Sequence, residues 1–97
     1  MSYTPKSDNL EFNETQLAAQ IELLENVRDM INNLKTSYLD YVNSQLRPDW
    51  TTDNGIKSVD SLERFANNNI QEFITYFDNR IADLREALQS VKNINAA

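Results

Sequence analysis

The chain has 97 residues, a formal net charge of −6, and neither cysteine nor histidine. This length suits one small domain with a thin core, since short chains bury a smaller share of their surface. Without Cys and His, disulfides, thiolate or imidazole metal sites and a histidine proton relay are excluded, which favours a non-enzymatic protein without metal or cofactor. The net negative charge opposes nucleic-acid binding, which depends on neutralising phosphates.

The sequence shows no targeting or membrane-spanning pattern. Residues 1–8 lack the basic and then apolar regions of a signal peptide, and no run approaches the roughly 18–20 apolar residues that span a bilayer. We therefore expect a cytoplasmic protein, or one exported by a route that does not read a signal peptide.

The first half of the chain predicts one long helix after a flexible N-terminal arm. We assign residues 1–12 to the arm and about 13–46 to helix 1, with Asn13 as the N-cap. Apolar residues follow in steps of three and four, apart from the last step, and this is a helical period. This stripe comprises Leu17, Ile21, Leu24, Val27, Ile31, Leu34, Tyr38, Tyr41 and Leu46.

The middle of the chain, residues 47–57, predicts a reversal. Pro48 disfavours helix at the residue before it, and Asp53-Asn54-Gly55 is a turn signature because Asn and Gly tolerate positive φ. Trp50 has two interpretations with equal support. Its ring either caps the open end of a hairpin, or sits partly exposed as an anchor for a partner.

The second half predicts helix 2 over about 58–92, with Ser58 or Asp60 as N-cap, Asp60 and Glu63 spaced like a capping box, and a frayed tail at 93–97. Its apolar spacing averages close to 3.6 residues, which indicates weak supercoiling. The stripe comprises Val59, Leu62, Ala66, Ile70, Phe73, Phe77, Ile81, Leu84, Leu88 and Val91.

Together the halves predict an all-α fold, an antiparallel two-helix hairpin that pairs into a four-helix bundle. The stripe of helix 1 is wider than one neighbouring helix can cover, so we expect an excess face available to a protein partner. The residues expected at this interface are Leu23, Met30, Tyr38 and Val42 of helix 1, Tyr76 of helix 2, and Trp50 and Gly55 of the turn.

Acidic residues on helix 1 have two interpretations. Glu22, Glu25 and Asp29 lie on one side of the helix, where carboxylates could present oxygens to a metal. Bundle metal sites, however, draw Glu-x-x-His pairs from facing helices, and this chain has no His. A solvated acidic face is therefore the favoured interpretation.

The architecture resembles a known family. An acidic chain of about 100 residues without Cys, folded as a hairpin with Trp50 and Gly55 in its turn, resembles the WXG100 or ESAT-6-like proteins of type VII secretion and the small helical companions of LXG-type effectors in Gram-positive bacteria. Phe65 fits the family's apolar continuation. Thr52 occupies the position of the motif's glycine, and Arg80 stands where the Tyr-x-x-x-Asp/Glu export signal after Tyr76 would need an acid.

The resemblance implies a small adaptor that forms a four-helix bundle, as a homodimer or as a heterodimer with the helical domain of a larger effector. The missing export signal is more compatible with an effector companion, or with a non-secreted relative, than with autonomous export. The alternative is a structural coiled-coil subunit, of phage or cytoskeletal type, that uses the same stripes to polymerise.

Overall fold

The computed structural model describes the backbone of residues 7–97 and the side chains of residues 13–97. Helix α1 covers Ser7–Tyr41 and continues through a π-helical segment at Val42–Leu46. Helix α2 covers Asp53–Arg64, a second π-helical segment covers Phe65–Ile70, and helix α3 covers Gln71–Ala96. Within the described residues there is no strand, and the chain forms an extended hairpin of 66 × 22 × 21 Å. The predicted all-α hairpin is confirmed.

The first helix starts earlier than the sequence indicated. It begins at Ser7 rather than near Asn13, so residues 7–12 are helical and do not belong to a flexible arm. The remainder of the predicted arm, residues 1–6, lies outside the described part of the chain. At its other end the helix stops at Leu46, as predicted.

The two long helices pack along one heptad seam. On α1 and its π-helical extension, the residues that face the other helix recur in strict alternation of four and three positions, and so do those that follow Ile70. A repeat of 3.5 residues keeps a seam directed at a partner when the helices supercoil. The part of helix 2 after Ile70 therefore has a shorter repeat than the predicted average close to 3.6 for the whole helix, while the steps of four at Ala66, Ile70 and Ile74 keep the average over the whole helix near that value. The seam residues are Leu17, Ile21, Leu24, Arg28, Ile31, Lys35, Tyr38 and Val42, against Ile70, Ile74, Phe77, Ile81, Leu84, Leu88, Val91 and Asn95.

Two seam positions on α1 are occupied by basic residues. The sequence prediction counted only apolar residues, and it therefore assigned an exposed neighbour to the buried stripe. Arg28 and Lys35 are half-buried, and their charged ends reach Asp78 Oδ1 at 3.1 Å and Gln71 Oε1 at 2.7 Å. Long side chains can lie along an apolar interface while the head stays in water. The apolar Leu34, which the sequence placed in the stripe beside Lys35, is consequently exposed.

The second helix begins at Asp53, five residues before the predicted start. Thr52 is its N-cap, in extended conformation, and its Oγ1 accepts a hydrogen bond from the Gly55 N–H at 3.1 Å. Asp53-Asn54-Gly55 is therefore the first turn of α2 rather than the reversal, and no residue in the described part of the chain has positive φ. The reversal is confined to residues 47–52.

The π-helical segment Phe65–Ile70 changes which residues of the second helix face inward. Its i→i+5 bonds widen the turn, so Ala66, Ile70 and Ile74 stay on one side at spacings of four. Phe73, which the sequence placed in the stripe, is exposed and Ile74 takes its place. The helix then continues to Ala96, so the predicted fraying of residues 93–97 is wrong.

Arg47 links the two halves of the hairpin at its turn. Its guanidinium donates to Asp60 Oδ1 at 3.0 Å, to Glu63 Oε2 at 3.3 Å and to Asn43 Oδ1 at 3.0 Å. Asp60 and Glu63 therefore bind an arginine at the start of the reversal instead of forming the predicted capping box. We call Arg47, Asp60 and Glu63 the turn clamp.

Candidate interaction surface

Large apolar side chains on α1 lie exposed beside the seam. Leu23 is 61% exposed and Met30 is 68% exposed, and Leu34 and Tyr41 are exposed to a similar degree. Each of these residues stands one position before a seam residue: Leu24, Ile31, Lys35 and Val42 respectively. Val27, half-buried, occupies the same kind of position before Arg28.

The same relationship holds on α3. Phe73 is 62% exposed and Tyr76 is 65% exposed, and they stand one position before Ile74 and Phe77 in the seam. Tyr76 packs edge-on against Phe77, with ring centroids 6.0 Å apart. Both helices thus carry exposed apolar residues at equivalent positions.

These two sets lie on one side of the hairpin. Each residue of a helix is rotated by about 100° from the previous one, so a residue before the seam points sideways rather than away from the other helix. Reversing the direction of one helix reverses that rotation as seen from a fixed viewpoint. Residues that precede the seam on two antiparallel helices therefore emerge on the same side. We call the surface formed by Leu23, Val27, Met30, Leu34, Tyr41, Phe73 and Tyr76 the apolar face.

The opposite side, where residues that follow the seam emerge, is polar and cross-linked. Arg85 Nη2 donates to Glu25 Oε2 at 2.6 Å, and Arg28 and Lys35 direct their charged ends to Asp78 and Gln71 on this same side. Among side chains 13–97, no residue of the apolar face forms a hydrogen bond or ion pair to the other helix. Apart from the bond that Asn95 Nδ2 donates to Glu14 Oε2 at 2.9 Å in the seam, the polar bonds between α1 and α3 therefore lie on one side only, and the other side is left to apolar contacts.

Arg28 is the centre of the polar side. Its guanidinium bonds to Asp29 Oδ1 at 3.0 Å and to Asp78 Oδ1 at 3.1 Å. The bond to Asp29, followed by the bond to Asp78, raises the pKa of Arg28 above its ordinary value. This direction means that the two carboxylates stabilise the charged form of a guanidinium that is cationic at neutral pH in any case.

Two shallow grooves open on the apolar face. One, of about 380 Å³, is lined by Glu72, Phe73, Tyr76 and Phe77. The other, of about 530 Å³, is lined by Val27, Met30, Ile31, Asn33, Leu34 and Ser37. Open apolar grooves between helical ridges are the shape into which side chains of another helix pack.

The structure separates the four residues predicted for the excess face of helix 1. Leu23 and Met30 lie on the apolar face, as expected. Val42 is only 1% exposed, so its placement on an exposed face is wrong. Tyr38 is half-buried against the cluster of Ala66, Ile70 and Ile74, so it also belongs to the interior. Both occupy seam positions, where the heptad spacing directs them inward.

Of the predicted turn residues, Trp50 is intermediate between the two interpretations. The residue is 41% exposed and belongs to neither buried cluster. Its backbone N–H donates a hydrogen bond to the Leu46 carbonyl at 2.9 Å. Gly55 is half-buried, and its surroundings show why the position suits glycine. A Cβ there would stand 3.0 Å from the carbonyl carbon and oxygen of Trp50 and from Thr52 Oγ1.

Sequence reasoning missed Leu34 and Phe73 as surface residues. Both were assigned to the core because they are apolar and fall at helical spacing. For Leu34, the signal is the strict heptad that runs through Arg28 and Lys35. That heptad is recognised only if basic residues are allowed at seam positions. For α3, the π-helical segment that rotates Phe73 outward has no marker in sequence except the Asn67-Asn68-Asn69 run of weak helix formers within it.

The structure contains no metal-type cluster and no candidate membrane helix among the residues that it describes. No group of three or more acidic residues there could hold a metal ion, and no described helix is long and apolar enough to cross a membrane. No family model, curated protein or solved structure matches this chain. The apolar face is therefore the feature from which a function must be argued.

Proposed function

We propose that this protein is a small non-enzymatic helical adaptor that acts by pairing its hairpin with another helical hairpin to form a four-helix bundle. The observation that supports this is the apolar face, which carries Leu23, Met30, Leu34, Phe73 and Tyr76 on one side of a hairpin whose other side is closed by charge pairs. Contiguous apolar surface of this kind marks interaction sites, and Tyr, Phe and Met are enriched in interface cores.

The resemblance to WXG100-like proteins, which rests on the central Trp50 and Gly55 and on the hairpin itself, supplies the biological setting of the proposal. In that setting the chain pairs with itself or with the helical domain of a larger effector, and keeps that effector folded for type VII export from a Gram-positive cell. The close approach of Gly55 to the backbone carbonyl of Trp50 gives a structural reason for the glycine, and because the contact is to backbone atoms it does not depend on the Trp side chain.

The pairing is tested by placing charge on the apolar face. The double variant Leu23→Asp with Met30→Asp should abolish pairing, because a buried unpaired carboxylate is costly. The matched control is Asn26→Asp with Asn32→Asp, which adds the same charge at two exposed positions of the same helix outside the face. Loss of pairing in the first variant alone supports the proposal, and equal behaviour of the two variants contradicts it.

The adaptor role is tested by co-expression with the helical N-terminal domain of an LXG-type effector encoded in the same genome. A soluble complex of fixed stoichiometry that the Leu23→Asp with Met30→Asp variant fails to form supports the role. An open, concentration-dependent series of species formed by the chain alone would instead identify a polymerising structural subunit.

A further inference from the structure

Two charged residues of opposite sign extend the apolar face along α3. Arg80 and Asp83 stand one position before the seam residues Ile81 and Leu84, at the positions that continue Phe73 and Tyr76 along α3. Both are exposed, and in the described part of the chain neither side chain forms an ion pair or a hydrogen bond. A partner that covers this face must therefore meet one cation and one anion, three positions apart.

Resting on the proposed function, we infer that the partner is a second copy of this chain, related by a two-fold axis that passes between Arg80 and Asp83. In an isologous interface, residue i of one copy meets residue j of the other and j meets i. With α3 of one copy antiparallel to α3 of the other, Arg80 faces Asp83 of the second copy and Asp83 faces its Arg80. Two reciprocal ion pairs then form from a single sequence element.

The same axis gives two large exposed side chains of α3, Phe73 and Tyr76, small opposite neighbours. Tyr76 comes opposite Ala87 of the second copy, and Phe73 comes opposite Ser90 of the second copy; all four residues are exposed in the single hairpin. Alternation of large and small residues across facing positions lets helices approach closely. From Phe73 to Ser90, the exposed side chains of α3 are thus complementary to those of an identical helix that runs in the opposite direction.

The position of this axis also suits α1. The bridges Glu25–Arg85 and Arg28–Asp78 bring the middle of α1 level with the region between Arg80 and Asp83 on α3. At that level the axis passes close to Val27, so Leu23 and Met30 lie on either side of it and face the same apolar segment of the second copy. The helix from Ser7 to Leu46 has its midpoint here as well, so two copies overlap along its whole length.

The charges also select which helices meet. If α3 faced α1 of the second copy, Arg80 and Asp83 would lie against the positions of α1 that precede its seam residues. None of these positions carries a charge: Gln16, Gln20, Leu23, Val27, Met30, Leu34, Ser37 and Tyr41. A charge covered without a partner is strongly unfavourable. Only the arrangement that places α3 against α3 gives both ions a counterion, and it makes all neighbouring helices of the bundle antiparallel.

Charge exchange tests this arrangement by sedimentation equilibrium on the full chain. Arg80→Asp places one acid against each Asp83, and Asp83→Arg places one cation against each Arg80, so both pairs of the dimer become repulsive and each variant alone should dimerise about tenfold or more weakly. An equimolar mixture of the two variants should form a heterodimer as stable as the wild-type dimer, because both opposed pairs become attractive. The single chain with both exchanges, Arg80→Asp and Asp83→Arg, should also dimerise like wild type.

The matched control is Glu86→Arg, which makes the same charge change as Asp83→Arg at an exposed position of α3 away from the seam and the apolar face. It should leave the dimer intact, and circular dichroism of each variant establishes that its helices are retained. A wild-type chain that stays monomeric overturns the second-copy inference and leaves the proposed pairing with an effector standing. A wild-type dimer that ignores the charge exchanges overturns the inferred axis while leaving the apolar face as the interface.

Discussion

The carbonyl group of Trp50 lies so close to Gly55 that a Cβ on residue 55 would stand 3.0 Å from both its carbon and its oxygen. This contact, and not a positive φ, accounts for glycine in the first turn of α2. Of the three atoms that would oppose the Cβ, two are backbone atoms of Trp50, which cannot move aside as a flexible side chain could, and the third is Thr52 Oγ1.

The first prediction concerns this contact. Gly55→Ala should destabilise the hairpin by about 1 kcal/mol, because overpacking against backbone, on the order of 1–3 kcal/mol, exceeds the roughly 1 kcal/mol that Ala gains over Gly in a helix. Urea unfolding followed by circular dichroism measures the difference. Asn54→Ala, at the exposed neighbouring position, is the control and should be neutral or slightly stabilising. A stabilised Gly55→Ala protein would show that the Trp50 backbone can move.

The second prediction concerns the N-cap of α2. Thr52→Ala should cost about 1 kcal/mol of unfolding free energy, because the Gly55 N–H loses its acceptor. Thr52→Ser keeps the oxygen and should retain most of the stability. Thr51→Ala, at the adjacent exposed residue, should have little effect. If Thr51→Ala were the more damaging variant, the helix would begin at a different residue.

The third prediction concerns the turn clamp. Arg47→Met should destabilise the hairpin by up to about 1 kcal/mol at low salt, since the ion pairs with Asp60 and Glu63 are only partly shielded from water. The difference from wild type should shrink at about 1 M NaCl, where exposed charges are screened. Arg64→Met removes an exposed arginine elsewhere in α2 and serves as the control. A salt-independent loss would point to packing of the Arg47 stem instead.

The fourth prediction tests the inward placement of Val42. Val42→Ala should lower the unfolding free energy by about 2 kcal/mol, because it leaves a cavity where the side chain is fully enclosed. Gln45→Ala, at an exposed position one turn along, should change it little. The two variants are compared by their urea midpoints at equal slope. Equal stability of Val42→Ala and wild type would return Val42 to the surface.

Much of the fold could be predicted from sequence because two long apolar repeats and one Pro-containing interruption leave few alternatives to a helical hairpin. The details that failed have physical causes. Arg28 and Lys35 were left out of the seam because they are charged, although their stems can lie in it. Asn54 and Gly55 indicate a turn by local preference, but the cap at Thr52 and the close approach to Trp50 make them the first turn of a helix.

The candidate surface could be predicted only in part. Leu23 and Met30 lie beyond any face that one helix covers, so their exposure follows from the width of the stripe. The contributions of Leu34 and Phe73 depend on the supercoil and on the π-helical segment at Phe65–Ile70, which are fixed by packing between the two halves of the chain. Which residues of two helices emerge on the same side is a property of their antiparallel arrangement, and cannot be read from either helix alone.

The most direct test of self-pairing through the apolar face is the absolute mass of the unmodified chain, measured by light scattering over a wide range of concentration. Pairing through the apolar face predicts a closed dimer, with twice the 11.2 kDa mass of one chain. The double variant Leu23→Asp with Met30→Asp should instead be a helical monomer. A wild-type chain that is a stable, well-folded monomer at every concentration would contradict the closed dimer, and only pairing of the apolar face with a different helical protein would then remain.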